Sequence, residues 1–168
     1  MELLLHFFKD FCLAFFVAIG FASLFNTPNR VLLIAGLLGS LGHSLKFLLH
    51  DGLGLGLITS TLSGTVLIGL LGIVLAHRVH TPPVVFTMPA CITMIPGLYA
   101  YKTMLGFIKL TDETGLSRNP PDLENTFHYF VLTASLLFTL AIGISIGVLL
   151  FRQDSVKMLK FASRKNKS

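Results

Sequence analysis

The chain has 168 residues, the length of one domain, yet 53% of them are hydrophobic and only 12% are charged, with a mean hydropathy of +0.78. A soluble globule of this size needs more polar surface to cover its core, which disfavours a soluble enzyme, a secreted disulfide domain and a disordered regulator. The net charge of +5 lies wholly in the last seventeen residues, where Arg152, Lys157, Lys160, Arg164, Lys165 and Lys167 face only Asp154.

The pattern predicts an all-α polytopic integral membrane protein, with a single transmembrane domain over 1–151 and a basic cytoplasmic tail over 152–168. A helix needs about 20 apolar residues to cross the hydrocarbon. The first such run, 3–25, is interrupted by Lys9 and Asp10. The second, 31–49, carries His43 and Lys46 toward its end, and the third, 53–76, is clean. The Gly52-Leu-Gly-Leu-Gly56 run lacks the strand and the Lys-Ser/Thr ending of a phosphate loop. It is expected to open the third span with a loose first turn. The fourth run, 84–108, contains two prolines and Lys102; the fifth, 127–151, has no charged residue except a neighbouring His128. Five spans are expected. The rival count is four, with one of the first two segments on the surface or re-entrant.

Basic residues in short flanking segments set orientation. The tail places the C-terminus in the cytoplasm with Arg30 and Arg78, leaving Lys9, Lys46, Lys109 and Arg118 outside. The acid-rich loop bearing Asp112, Glu113, Asp122 and Glu124 falls outside with them. Cys12 and Cys91 fall within apolar spans and read as packing residues. His77 and His80 have no further ligand nearby in sequence, so neither a metal nor another cofactor is expected.

Small residues recur at every fourth position: Ala14, Ala18 and Ala22; Gly36, Ser40 and Ser44; Ser60 and Gly64; Gly143 and Gly147. Such rows let helix backbones approach closely in lipid. They serve packing within the chain, or one of them faces a partner subunit or a second copy of the same chain.

The fourth span is the most informative. Pro89 and Pro96 lack amide hydrogens and clash with the preceding turn, so the carbonyls of Val85 and Ile92, four residues back, need other donors. Gly97 eases local unwinding. In hydrocarbon, freed backbone groups are tolerated only where protein or a water-lined cavity satisfies them. The expected result is a helix broken at Pro96-Gly97, whose second half offers unpaired N–H groups near mid-membrane, as transporters use to hold carboxylates. Thr87, Thr93, Tyr99, Tyr101 and Thr103 add hydroxyls, and Lys102 adds a charge that contacts substrate or snorkels outward. Pro89, Thr93, Pro96, Gly97, Tyr99, Tyr101 and Lys102 form the predicted substrate pathway. No Asp or Glu lies in the last three spans, so any proton coupling is expected to draw its carboxylates from another subunit.

Three stretches together carry a family resemblance: Leu24-Phe-Asn-Thr-Pro-Asn-Arg30, Ala35-Gly-Leu-Leu-Gly-x-Leu-Gly42, and Pro89 followed by Ile95-Pro-Gly-x-x-x-Tyr101. They resemble the C-terminal half of the ThrE threonine/serine exporter family, in its free-standing form as the small YjjB-like subunit of a split YjjP/YjjB-type exporter. Asn26, Pro28, Arg30, Gly36, Gly39 and Gly42 are the motif residues expected to be structural. The resemblance implies a bacterial inner-membrane subunit that exports threonine, serine or a dicarboxylate such as succinate, working in the lipid bilayer with a larger YjjP-like chain. The alternative is a non-transporting scaffold that stabilises a membrane partner. No paired acids, metal triad or nucleophile–base set supports an enzyme, and the neutral body argues against nucleic acid.

Overall fold

A computed structural model describes residues 2–111 and 120–165, with side-chain surroundings for 5–111 and 123–146. The acidic loop at 112–119, the surroundings of Gly147 and the side chains of the basic tail lie outside the described residues. Among the described residues all regular structure is helical: α1 (Glu2–Leu24), α2 (Asn29–Phe47), α3 (Leu57–Val79), α4 (Val84–Ile92), α5 (Gly97–Thr111) and α6 (Pro120–Lys165). Four stretches are long and apolar enough to cross a membrane, namely Leu5–Leu24, Asn29–Gly52, Leu57–Val79 and Leu123–Ile146. The α4–α5 pair makes a fifth when counted as one span bent by 60°. The chain is a polytopic helical membrane protein, with the fourth span broken just before Pro96-Gly97, while α4 continues through Pro89.

The boundaries have local causes. Asn26 adopts φ 53°, and the amides of Asn26 and Thr27 turn back to Ser23 and Ala22 carbonyls, each at 3.0 Å. This is a Schellman ending with asparagine in its left-handed position, followed by a proline that cannot continue the helix. His80, at φ 50°, ends α3 in the same way. One expectation is corrected here. The Gly52–Gly56 run does not open the third span as a loose turn: α2 runs into a π-helical turn, Leu48–Gly52, and α3 begins only at Leu57. Gly54 in that link has φ +68°, a conformation glycine adopts without strain.

Helix α2 is the hub. It packs on α1, α3 and α4, while α4 is also flanked by α1 and α3. Glycines at intervals of three residues turn successively by about 60° around a helix, and this fan meets different neighbours. A Cβ at Gly36 would strike Phe15 and Ile19 of α1; one at Gly39 would lie 2.6 Å from Ala18 Cβ and 3.4 Å from the Ala90 backbone of α4. At Gly42 it would meet Ile68 of α3 and Met94 just past α4. Further contacts follow the same rule: Gly64 against Gly42 and Met94, Gly72 against Thr87, Gly143 against Thr65, and Gly106 against Thr126.

The described residues of the small-residue rows are used largely inside the chain. Ala14, Ala18, Ala22, Ser40, Ser44 and Ser60 are all buried without a second subunit. The apolar core they surround includes Val31, Leu38, Ile68, Phe86, Cys91 and Met94. Outward-facing positions are apolar too, as at Leu13, Phe16, Leu33, Val74 and Phe138; this is the composition of a lipid-facing surface.

A methyl at Gly39 must push α1 or α4 away, an overpacking that costs on the order of 1–3 kcal/mol. A methyl at Gly20 meets nothing within 4 Å and gains helix propensity of about 1 kcal/mol. In thermal unfolding in detergent, Gly39→Ala is expected to melt below wild type and Gly20→Ala at or above it. Equal melting temperatures would contradict the α1–α2–α4 contact.

Candidate functional site

Both prolines of the fourth span are buried, and the structure supplies the carbonyls they strand. Val85 O, deprived of its donor by Pro89, accepts a hydrogen bond from Thr27 Oγ1 at 3.2 Å. Ile92 O, deprived by Pro96, accepts from the Ile95 amide at 3.1 Å. The first is a tertiary bond from the turn that joins α1 to α2; the second is local. Thr27 is 6% exposed, so its hydroxyl works where water competes little.

The break occupies Thr93 to Pro96. Thr93 donates its hydroxyl to Ala90 O at 2.8 Å, and the Met94 amide reaches Cys91 O at 3.0 Å. The Gly97 amide folds back onto Ile95 O at 2.8 Å. Gly97 therefore does not present a free N–H as the sequence suggested; among the described residues the amides of Leu98 and Tyr99, next along α5, find no backbone acceptor. Gly97 itself has open space around it and no positive φ, so neither crowding nor backbone conformation demands glycine there.

The seven predicted pathway residues fall into two groups and two separate positions. Pro89, Thr93 and Pro96 lie on the α4 side, against α1–α3. Tyr99 and Lys102 lie on α5 and face α6, because positions three apart share a helix face. Tyr99 stacks on Tyr129, with ring centroids 6.1 Å apart, and Lys102 Nζ stands 4.9 Å from the centre of the Tyr129 ring, within cation–π range. Tyr101, 61% exposed, points away from both groups, and Gly97 stands at the joint. Thr87 and Thr103 donate back to the carbonyls of Pro83 and Tyr99 in their own helices.

Between α5 and α6, Lys102, Leu105, Gly106, Lys109, Asn125, Thr126 and Tyr129 line an open cavity of about 300 Å³. Lys102 is half-buried there instead of extended to a helix end. Two lysines on the α5 wall and the Asn125 amide on the α6 wall give it a polar, cationic lining. Tyr129 and Asn125 were not predicted; a tyrosine near the start of an otherwise apolar span is the signal that could have marked them.

A second polar group lies on the other side of the break. Asp10 Oδ2 of α1 stands 3.2 Å from His43 Nε2 of α2, with the side chains 29% and 25% exposed. The pair was not predicted, although the sequence held a cue. Asp10 lies fourteen residues before Leu24 and His43 fourteen after Asn29, so an antiparallel hairpin brings them level.

A sequence model described as the threonine/serine exporter ThrE matches residues 10–150 of this chain. The chain belongs to the threonine/serine exporter family. The match spans the Thr27 turn, the glycine fan and the broken span. No solved structure matches the chain.

Loss of the Thr27 hydroxyl is expected to destabilise the fold by about 1 kcal/mol, with Thr27→Ser close to wild type and Thr27→Val less stable in detergent unfolding. In a Pro89→Ala background the restored amide serves Val85 O itself, so Thr27→Val should then have little effect. A double-mutant cycle with no coupling would mean that the hydroxyl does not replace the proline's missing donor.

Proposed function

We propose that this chain is the smaller half of a secondary exporter for small carboxylate-bearing metabolites, threonine, serine or a dicarboxylate such as succinate. It works with a larger YjjP-like membrane subunit in the bacterial inner membrane, with its C-terminus in the cytoplasm. The carrying observation is the broken fourth span: a short half-helix wedged among α1–α3, then a 60° bend into a half that faces the lysine-lined cavity. Secondary transporters place substrate at such discontinuities, where backbone groups and helix ends meet charged ligands near mid-membrane.

Substrate carboxylate lies near the start of α5, where the amides of Leu98 and Tyr99 face the break and Lys102 lies one turn on. Pro89, Thr93, Pro96 and Gly97 shape the joint; Tyr99, with Tyr129, forms the aromatic wall. Tyr101 belongs to the pathway through the surface it offers the partner subunit, since it points out of the bundle. The partner half closes the cavity, and rocking of one half against the other gives alternating access. The family membership and the polar lining of an otherwise apolar bundle support this reading.

Efflux from cells producing both chains tests it. Pro96→Ala restores an amide at the break and is expected to abolish threonine or succinate efflux while both subunits still assemble. Lys102→Met is expected to raise the substrate concentration for half-maximal transport by about tenfold or more, the size of a lost charged hydrogen bond. Wild-type efflux in both variants would instead favour a scaffold role.

A further inference from the structure

The Asp10–His43 pair is not part of the cavity between α5 and α6, and its chemistry differs. Asp10 lies five residues, about 8 Å, inside the Leu5 end of the stretch Leu5–Leu24, and His43 nine residues, about 14 Å, inside the Gly52 end of Asn29–Gly52. Ionisable groups at such depth are rare and mark ion or proton pathways, paired with one another. The contact is short but not aligned as a hydrogen bond. Among the described residues Asp10 Oδ2, His43 Nδ1 and the neighbouring Ser44 Oγ are buried atoms with no hydrogen-bond partner. Among the described residues no other side chain is hydrogen-bonded to Asp10 Oδ2 or to His43 Nδ1, so a proton on the pair is not tied into a wider side-chain network.

The pair also touches the broken span. The Thr93 backbone lies within electrostatic reach of the His43 ring, and Gly42, one residue before it, receives Met94. Thr93 caps the C-terminal end of α4, where carbonyls without helical donors carry partial negative charge. An imidazolium at His43 is a counter-charge to that helix end; a neutral imidazole is not. The remaining charges nearby are few. Lys46, one turn along α2, interacts with Asp10 and with Asp51 of the π-helical turn, and acts as a like charge on a protonated His43. His50 in that turn is held by Leu55 O at 2.9 Å. On α1, His6 and Lys9 are exposed. Helix α4 offers only Cys91, which sits in the apolar core, and the basic and titratable residues of α3, His77 and Arg78, lie in its last turn.

The geometry points to Asp10 and His43 as a proton-carrying site within this chain, through which protonation sets the conformation of the break at Thr93–Pro96. One proton binds to the pair and is held as imidazolium beside carboxylate; its release leaves neutral imidazole beside carboxylate, and no electron moves. With the proton bound, the α4 end is neutralised and the bend is held. Without it, the α4 carbonyls lose their counter-charge and the joint is free to change angle. The inference rests on the exporter reading and replaces the expectation that coupling carboxylates come from another subunit.

Proteoliposomes containing both subunits separate coupling from substrate handling. Net efflux of threonine or succinate driven by a pH gradient is measured beside exchange of the same substrate across the membrane without a gradient. In Asp10→Asn and His43→Gln, gradient-driven efflux is expected to fall by at least about tenfold while exchange persists. Gradient-driven efflux at the wild-type rate in both variants overturns the proposal, as does loss of exchange along with efflux in folded protein, which would make the pair structural. If the wild-type complex moves neither substrate, the exporter reading fails and the site is judged separately. The His43 ring is then followed by NMR in nanodiscs containing both chains. A titration between about pH 5 and 9 that shifts in Asp10→Asn supports the site, and a ring that does not titrate, or is indifferent to Asp10, overturns it.

Discussion

The fold depends on how closely the α2 backbone approaches its neighbours. Lipid tails are as apolar as leucine, so helices in a bilayer gain little from burying apolar surface and depend on contact at short range. Gly36, Gly39 and Gly42 supply that range toward α1, α4 and α3 in turn. A four-residue repeat would have built one flat seam with a single partner. The three-residue steps build a post around which three helices gather, and the broken helix is the one that most needs the support. Pro89 leaves α4 short of a hydrogen bond, and its nine residues are too few to span a bilayer alone. Its place is fixed by Ala90 against Gly39, Thr87 against Gly72 and Met94 between Gly42 and Gly64.

The turn between α1 and α2 joins the two kinds of constraint. Its left-handed asparagine and following proline set the path of the chain, and the threonine between them reaches Val85 across 58 residues. A sequence feature that looks like turn chemistry is therefore also the repair of a proline defect in another helix. Neither role depends on Arg30, which is exposed at the start of α2.

Much of this was legible in the sequence because the relevant physics is local. A proline removes one amide from a known carbonyl, so the needs of Val85 and Ile92 could be named before any partner was known. Apolar run lengths located the helices, and small-residue spacing identified the contact faces. What stayed hidden is tertiary. The identity of Thr27 as donor, the 60° bend and the stacking of Lys102 over Tyr129 depend on which helices become neighbours. The Asp10–His43 pair lay between these cases: its equal spacing from the turn was visible, but Asp10 read as a blemish in a weak span. Gly97 stands at the expected joint, but its own surroundings leave room for a side chain.

The bend also sets how far the fourth span would reach with α4 standing along the membrane normal. Counted along the α4 axis, nine residues rise about 14 Å and fifteen more, tilted by 60°, add about 11 Å, a total of about 25 Å; straightened, the same pair would reach about 36 Å. The hydrocarbon of a typical bilayer is about 30 Å thick, between these limits. A thinner bilayer favours the bent form and a thicker one the extended form, at fractions of a kcal/mol per Å of mismatch. Any change of angle at the joint would therefore be loaded mechanically by the surrounding lipid, and the acyl-chain length of the host membrane would bear on it.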